Sequence, residues 1–160
     1  LFLEAIWNPM NTVEPDTPDG VVQVRFDGAL YREALALRER HLRHELGLEL
    51  TPDDVEGEEA QIHLVHVIHG KLVGCVILKP VDDQTIRLRQ MVVASSLRGR
   101  GIGAMLIHAA EQECRRLGAG KIVLHARSEA MGFYSKLGFK PVSGIFMEVG
   151  IPHQTMEKLL

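Results

Sequence analysis

The period of the apolar positions changes several times along the chain, and each change marks an element. Alternation over residues 21–26 predicts a first strand. Asp27-Gly28 breaks it, and residues 29–46 then follow a helical period that Gly47 ends, with Leu35, Leu42 and Leu46 on one face. Residues 51–61 are acidic and polar, which predicts a solvated loop holding at most a helical turn. Residues 62–68 and 71–78 read as strands joined by the hairpin dipeptide His69-Gly70, and a turn at 80–84 leads into a strand over 85–93. This antiparallel meander runs into a second helical pattern. Gly103, Leu106, Ile107, Ala110, Cys114 and Leu117 line one face, and His108, Glu111, Gln112, Arg115 and Arg116 the other. Gly118 stands where a left-handed stop belongs. Residues 121–126 form the next strand. A right-handed crossover sets it parallel to the strand over 86–93, and such a pair opens a crevice at its carboxyl ends. Ser128 is placed to cap a short helix over 129–137, with Ala130, Phe133 and Leu137 inward and Gly138 ending it. Residues 1–19 begin apolar and then carry Pro9, Pro15 and Pro18, which predicts an irregular arm that Trp7 can anchor.

Composition narrows the classes. A chain of 160 residues with 46% hydrophobic and 24% charged residues suits a single domain, here 20–160 behind the arm. A net charge of −3 and an aromatic fraction of 5% argue against nucleic-acid binding by charge or stacking. No apolar run reaches the roughly 18 residues of a membrane span, and no basic, signal-like start precedes one, so a cytoplasmic protein without membrane contact is expected. Cys75 and Cys114 have no metal spacing and read as small buried side chains. Strand geometry places His63 and His69 about 20 Å apart and turns His66 to the opposite face, so they cannot share an ion. His41 and His44 lack a third ligand, and no metal is expected.

The candidate chemistry lies in Arg98-Gly99-Arg100-Gly101-Ile102-Gly103. A glycine-rich loop opening a helix presents unpaired amides and the positive end of the helix dipole, and two arginines add formal charge. This is a cradle for an anion, above all a pyrophosphate. It is not a Walker A loop, and its Gly-x-Gly-x-Gly spacing departs from the dinucleotide fingerprint. It fits Arg/Gln-x-x-Gly-x-Gly/Ala through Arg98, Gly101 and Gly103, and here the chain resembles the GNAT acyltransferase superfamily. The end of the chain, with Gly150-Ile151-Pro152-His153-x-x-Met156, is similar to the small ElaA-type branch, and Phe133-Tyr134-x-x-x-Gly138-Phe139 to a recurrent family signature.

The resemblance implies a mixed α/β (α+β) fold: a mostly antiparallel central sheet with one splayed parallel strand pair and flanking helices. It implies acetyl-CoA as co-substrate, its pyrophosphate on Arg98, Gly99, Arg100, Gly101, Ile102 and Gly103 and its pantetheine arm along Met91, Val92 and Val93. It implies that Tyr134 lies near the thioester sulfur as general acid. Homodimers are common in the family. Two departures stand out. Ser95 replaces a frequent proline, and Arg127 stands where an asparagine is often found.

Acyl transfer also needs a base, and the strand that often carries a glutamate offers only Arg87, Arg89 and Gln90. His125, Glu148 and His153 are the candidates. Arg38 lies on the apolar stripe of the first helix. It either snorkels or, with His41 and Glu45 one turn on, contacts the acceptor. The expected activity is acyl transfer to a primary amine of a small molecule or peptide. The rivals are a non-catalytic coenzyme A-binding module and, third, a dinucleotide-dependent oxidoreductase.

Overall fold

A computed structural model describes residues 17–160, so Trp7 and all but the last three positions of the N-terminal arm lie outside the described residues. The strand order is β1-β2-β3-β4-β5-β8-β6, with β7 also paired to β8. The described residues group into two compact units, 17–78 with 90–110, and 79–89 with 111–160.

In the first unit, β1 (Gly20–Val24) pairs antiparallel with β2 (Ile62–Ile68), and β2 with β3 (Lys71–Pro80). His69 and Gly70 both adopt positive φ, 49° and 72°, as a two-residue hairpin of primed type requires. Helix α1 (Ala29–Leu42) buries Ala34 and Leu37 against Val65, Val67, Cys75 and Val92. Its period carries on into a 3₁₀ turn, His44–Leu46, which Gly47 stops at φ 71°. The acidic stretch is more ordered than its composition suggests. It holds α2 (Pro52–Val55), opened by the Thr51 N–H donating to Asp54 at 2.8 Å, and a 3₁₀ turn, Glu58–Ala60.

Helix α3 (Ile102–Arg116) approaches β3 over Gly74. A Cβ there would lie 2.9 Å from Leu106 Cδ1 and 3.1 Å from the Val92 carbonyl, so the close approach requires glycine. Leu106, Ile107 and Ala110 are buried as the helical period predicts.

In the second unit, the start of β4 (Thr85–Val93) pairs parallel with β5 (Lys121–Arg127) from Thr85↔Lys121 to Leu88↔Leu124. Beyond Leu88 that ladder stops. Gln90 takes φ 53°, a left-handed kink in the middle of a strand, such as bulges introduce next to active sites. β5 also pairs antiparallel with β8 (Ile151–Leu159), which carries β6 (Lys140–Pro141) and β7 (Phe146–Glu148). Gly118 ends α3 in a Schellman arrangement, with Ala119 N–H donating to Cys114 O and Gly118 N–H to Arg115 O, each at 3.0 Å.

Three local expectations are corrected here. Ser128 does not cap: its hydroxyl reaches Pro152 O, and residues 128–136 divide into a 3₁₀ turn, Ser128–Ala130, and α4 (Met131–Lys136). Leu117, assigned to the apolar face, is exposed. Glu111, assigned to the polar face, is 6% exposed, because β8 brings the Lys158 ammonium within 2.7 Å of its carboxylate.

Candidate active site

The glycine loop follows β4 directly. A 3₁₀ turn, Ser95–Leu97, leads to Arg98, whose Nε donates to Val93 O at 3.3 Å and ties the loop to the strand end. Gly99 and Gly101 adopt φ 81° and 80°, a region that side chains strain to reach, and no atom lies within 4 Å of a Cβ built on either. The space above the loop is therefore open to a ligand. Gly101 O accepts from Met105 N–H at 3.0 Å and so heads α3. The amides of Ile102, Gly103 and Ala104 consequently have no partner within the helix. Arg98, Gly99, Arg100 and Gly101 are exposed, and Ile102 is buried and anchors the turn. The exposed loop, its open space and the first-turn amides fit a pyrophosphate.

The second unit gathers the candidate bases. In β5, Ile122, Leu124 and Ala126 point into the core, which turns His125 to the opposite face. The registers His125↔Thr155, Arg127↔His153 and Phe146↔His153 put His153 and Phe146 on that same face, and Glu148 follows by period two. Arg87 shares it, since Ile86 and Leu88 are the buried positions of β4. Val149 and Gly150, both at positive φ, form the tight turn that folds β7 onto β8.

All three candidates meet in one cluster. Glu148 Oε1 lies 3.0 Å from His125 Nδ1, and Oε2 lies 3.5 Å from His153 Nε2. An Arg87 terminal nitrogen lies 2.8 Å from His125 Nδ1 and 3.8 Å from Glu148 Oε1. The Phe146 ring meets His125 edge-on and stacks on His153. His153 Nδ1 lies 2.9 Å from Ile151 O, a carbonyl that can only accept, so Nδ1 carries the proton and Nε2 faces Glu148. Burial alone would raise the Glu148 carboxyl, but the His125 hydrogen bond and the charges of His125, His153 and Arg87 hold it below the usual glutamate value. β4 carries no carboxylate over this stretch, and β7 delivers one beside Arg87. Sequence reasoning passed over Arg87 and Phe146 in this role. Their signal was parity with His125 and His153, which needs the strand pairing to be read.

Tyr134 lies between Phe133, with ring centroids 5.0 Å apart, and Phe139, at 5.8 Å. Burial pushes its hydroxyl up to about 12, with the Arg127 charge pulling the other way, so it is a proton donor at neutral pH.

Arg38 is neither snorkelling nor placed for an acceptor. It is 1% exposed and grips Glu58 in a bidentate pair, NH1 to Oε2 at 2.9 Å and NH2 to Oε1 at 2.7 Å. Tyr31 donates to the same carboxylate at 2.9 Å, and His63 Nε2 lies 2.8 Å from the Glu58 carbonyl. Glu58 is 0% exposed, although the acidic composition around it predicts a solvated loop. His41, also buried, does not join Arg38 and pairs instead with Glu45 at 2.9 Å.

The family model described as "Acetyltransferase (GNAT) domain" matches residues 38–160. YyaT of Bacillus subtilis is 35% identical over 78 residues, 49% of this chain and 53% of YyaT, so the chain spans about half the length of that relative. ElaA of Escherichia coli is 30% identical over 66% of this chain and 70% of its own. The ElaA crystal structure superimposes with a TM-score of 0.73 over 86% of this chain and 98% of ElaA, at 21% identity. An aminoglycoside 6'-N-acetyltransferase solved with coenzyme A gives a TM-score of 0.71 over 87% and 96%, at 20% identity, which speaks to the shared fold. The chain belongs to the GNAT acetyltransferase family.

Proposed function

We propose that residues 20–160 act as one acyl-CoA-dependent N-acyltransferase domain, with acetyl-CoA as donor and a primary amine of a small molecule or peptide as acceptor. The observation that carries this reading is the open, left-handed Gly99–Gly101 loop at the head of α3. Bound acetyl-CoA supplies an activated acyl thioester. Arg98, Arg100 and the first-turn amides of α3 hold its pyrophosphate, and the backbone of Met91, Val92 and Val93 takes the pantetheine arm. Backbone N–H groups of that strand polarise the thioester carbonyl. The acceptor amine must shed a proton before it attacks, and Glu148, with His125 and His153 behind it, takes that proton. Tyr134 gives a proton to the sulfur as the carbon–sulfur bond breaks and regains one from the adduct nitrogen, which sheds its second proton as the amide forms, so the proton taken by Glu148 is the one released.

The test is thiol release from acetyl-CoA across a library of amines, paired with thermal unfolding in the presence of acetyl-CoA, NAD or ATP. Stabilisation by acetyl-CoA alone, together with amine-dependent thiol release, supports the reading. Stabilisation without turnover on any amine makes the chain a coenzyme A-binding module. No stabilisation at millimolar acetyl-CoA removes both.

A further inference from the structure

Two groups claim one nitrogen of His125. Arg87 can only donate, so its 2.8 Å contact with Nδ1 requires a lone pair there. Glu148, held ionised, can only accept, so its 3.0 Å contact requires a proton on the same atom. The two contacts belong to two proton states of one ring. The Arg87 Nε, like that of Arg38, is buried and has no hydrogen-bond partner.

We propose that Arg87 is a positioning residue that holds His125 Nδ1 unprotonated in the resting protein, so that the ring takes up the proton that Glu148 removes from the acceptor ammonium. The inference rests on the acyltransferase reading. The step balances with one proton. It leaves the substrate nitrogen for a Glu148 oxygen and passes from Oε1 to Nδ1. Nδ1–H then donates back to Oε1, and Arg87 gives up its acceptor. Glu148 is again a carboxylate, and imidazole has become imidazolium. The charged or titratable groups facing this ring are Arg87 from β4, Glu148 from β7 and, across the Phe146 ring, His153 from β8. Arg87 opposes a positive ring and Glu148 favours it, so removing Arg87 leaves the second influence in command.

The experiment follows the histidine ring nitrogens of the whole protein by NMR across pH, with no turnover required. In the parent, His125 is expected as the Nε2–H tautomer near neutrality. In Arg87→Gln, Nδ1 is expected to carry the proton and donate it to Glu148, since the donor that required a lone pair there is gone. A merely structural loss would lower activity without changing which ring nitrogen carries the proton. Should Arg87→Gln not fold, Arg87→Met keeps an unbranched stem and withdraws both the cation and the donor, and the same tautomer change is expected. An unchanged tautomer in a folded variant overturns the assignment. A ring response without turnover on any amine upholds Arg87's hold on the ring and sinks the acyltransferase reading beneath it. Turnover without a ring response overturns the assignment alone.

Discussion

Replacing Glu58 with Gln changes one buried oxygen for an amide and keeps the volume, so its effect isolates charge. Arg38 is 1% exposed and its guanidinium has both terminal nitrogens on the Glu58 carboxylate. A glutamine can accept from one of these nitrogens and turns an NH₂ group toward the other, donor against donor. The Tyr31 hydroxyl then competes for the single remaining oxygen. Breaking a buried pair by removing one partner costs about 3–5 kcal/mol, because the other charge stays behind in a poorly polarisable interior. At about 2–4 °C per kcal/mol for a protein of this size, the melting temperature should fall by about 6–20 °C. Denaturant unfolding gives the free energy, and an unchanged m-value would confirm that the unfolding reaction is the same. The double variant Arg38→Met, Glu58→Leu removes both charges. It should recover much of the loss, since apolar replacements of buried pairs are often neutral or better. A loss below about 1 kcal/mol for Glu58→Gln would refute the argument, because water or another anion would then be serving Arg38.

Gly101→Ala meets no clash but must hold φ 80°, which costs about 1–2 kcal/mol. Its methyl enters the anion space, and losing one amide-to-phosphate bond should weaken acetyl-CoA binding by about ten- to a hundredfold, read by calorimetry. Tyr134→Phe should lower kcat by about 10²–10⁴-fold with donor KM little changed; equal turnover in the parent and the variant would take the hydroxyl out of the mechanism. Burial would raise the Asp54 carboxyl, but the Arg43 hydrogen bond and the Thr51 N–H bring it below the usual aspartate value. A depressed native value means this contribution is full above the unfolded value, about 3.9, and is lost as pH falls through the lower native one. The stability gap between the parent and Asp54→Asn should therefore narrow below about pH 4, as followed by urea unfolding.

Elements set by local pattern were legible in the sequence. The strand Ile62–Ile68, its His69-Gly70 hairpin and the glycine stop of α3 depend on alternation, turn chemistry and a helical period, which neighbouring residues carry. The parallel pairing of β4 with β5 followed from handedness alone. Partnerships across long sequence separations were hidden. Arg38 looked like a stripe residue because its carboxylate lies 20 positions away among acidic residues that are exposed. Glu111 looked solvated because Lys158 stands 47 positions on. The three base candidates were named individually, and only the registers of β5, β7 and β8 show that they share a face with Arg87. Periodicity reports which side of an element is apolar and carries no information about which distant charge will reach it.

The central claim, acyl transfer to an amine, is tested most directly by an acid-quenched reaction with acetyl-CoA and a competent amine. Free thiol and acylated amine are quantified together, and the intact protein mass is read alongside. Direct attack predicts thiol and acylated amine in equal amounts at every time point, with the protein mass unchanged. Thiol released without acylated amine, or acyl mass accumulating on the protein, would contradict it.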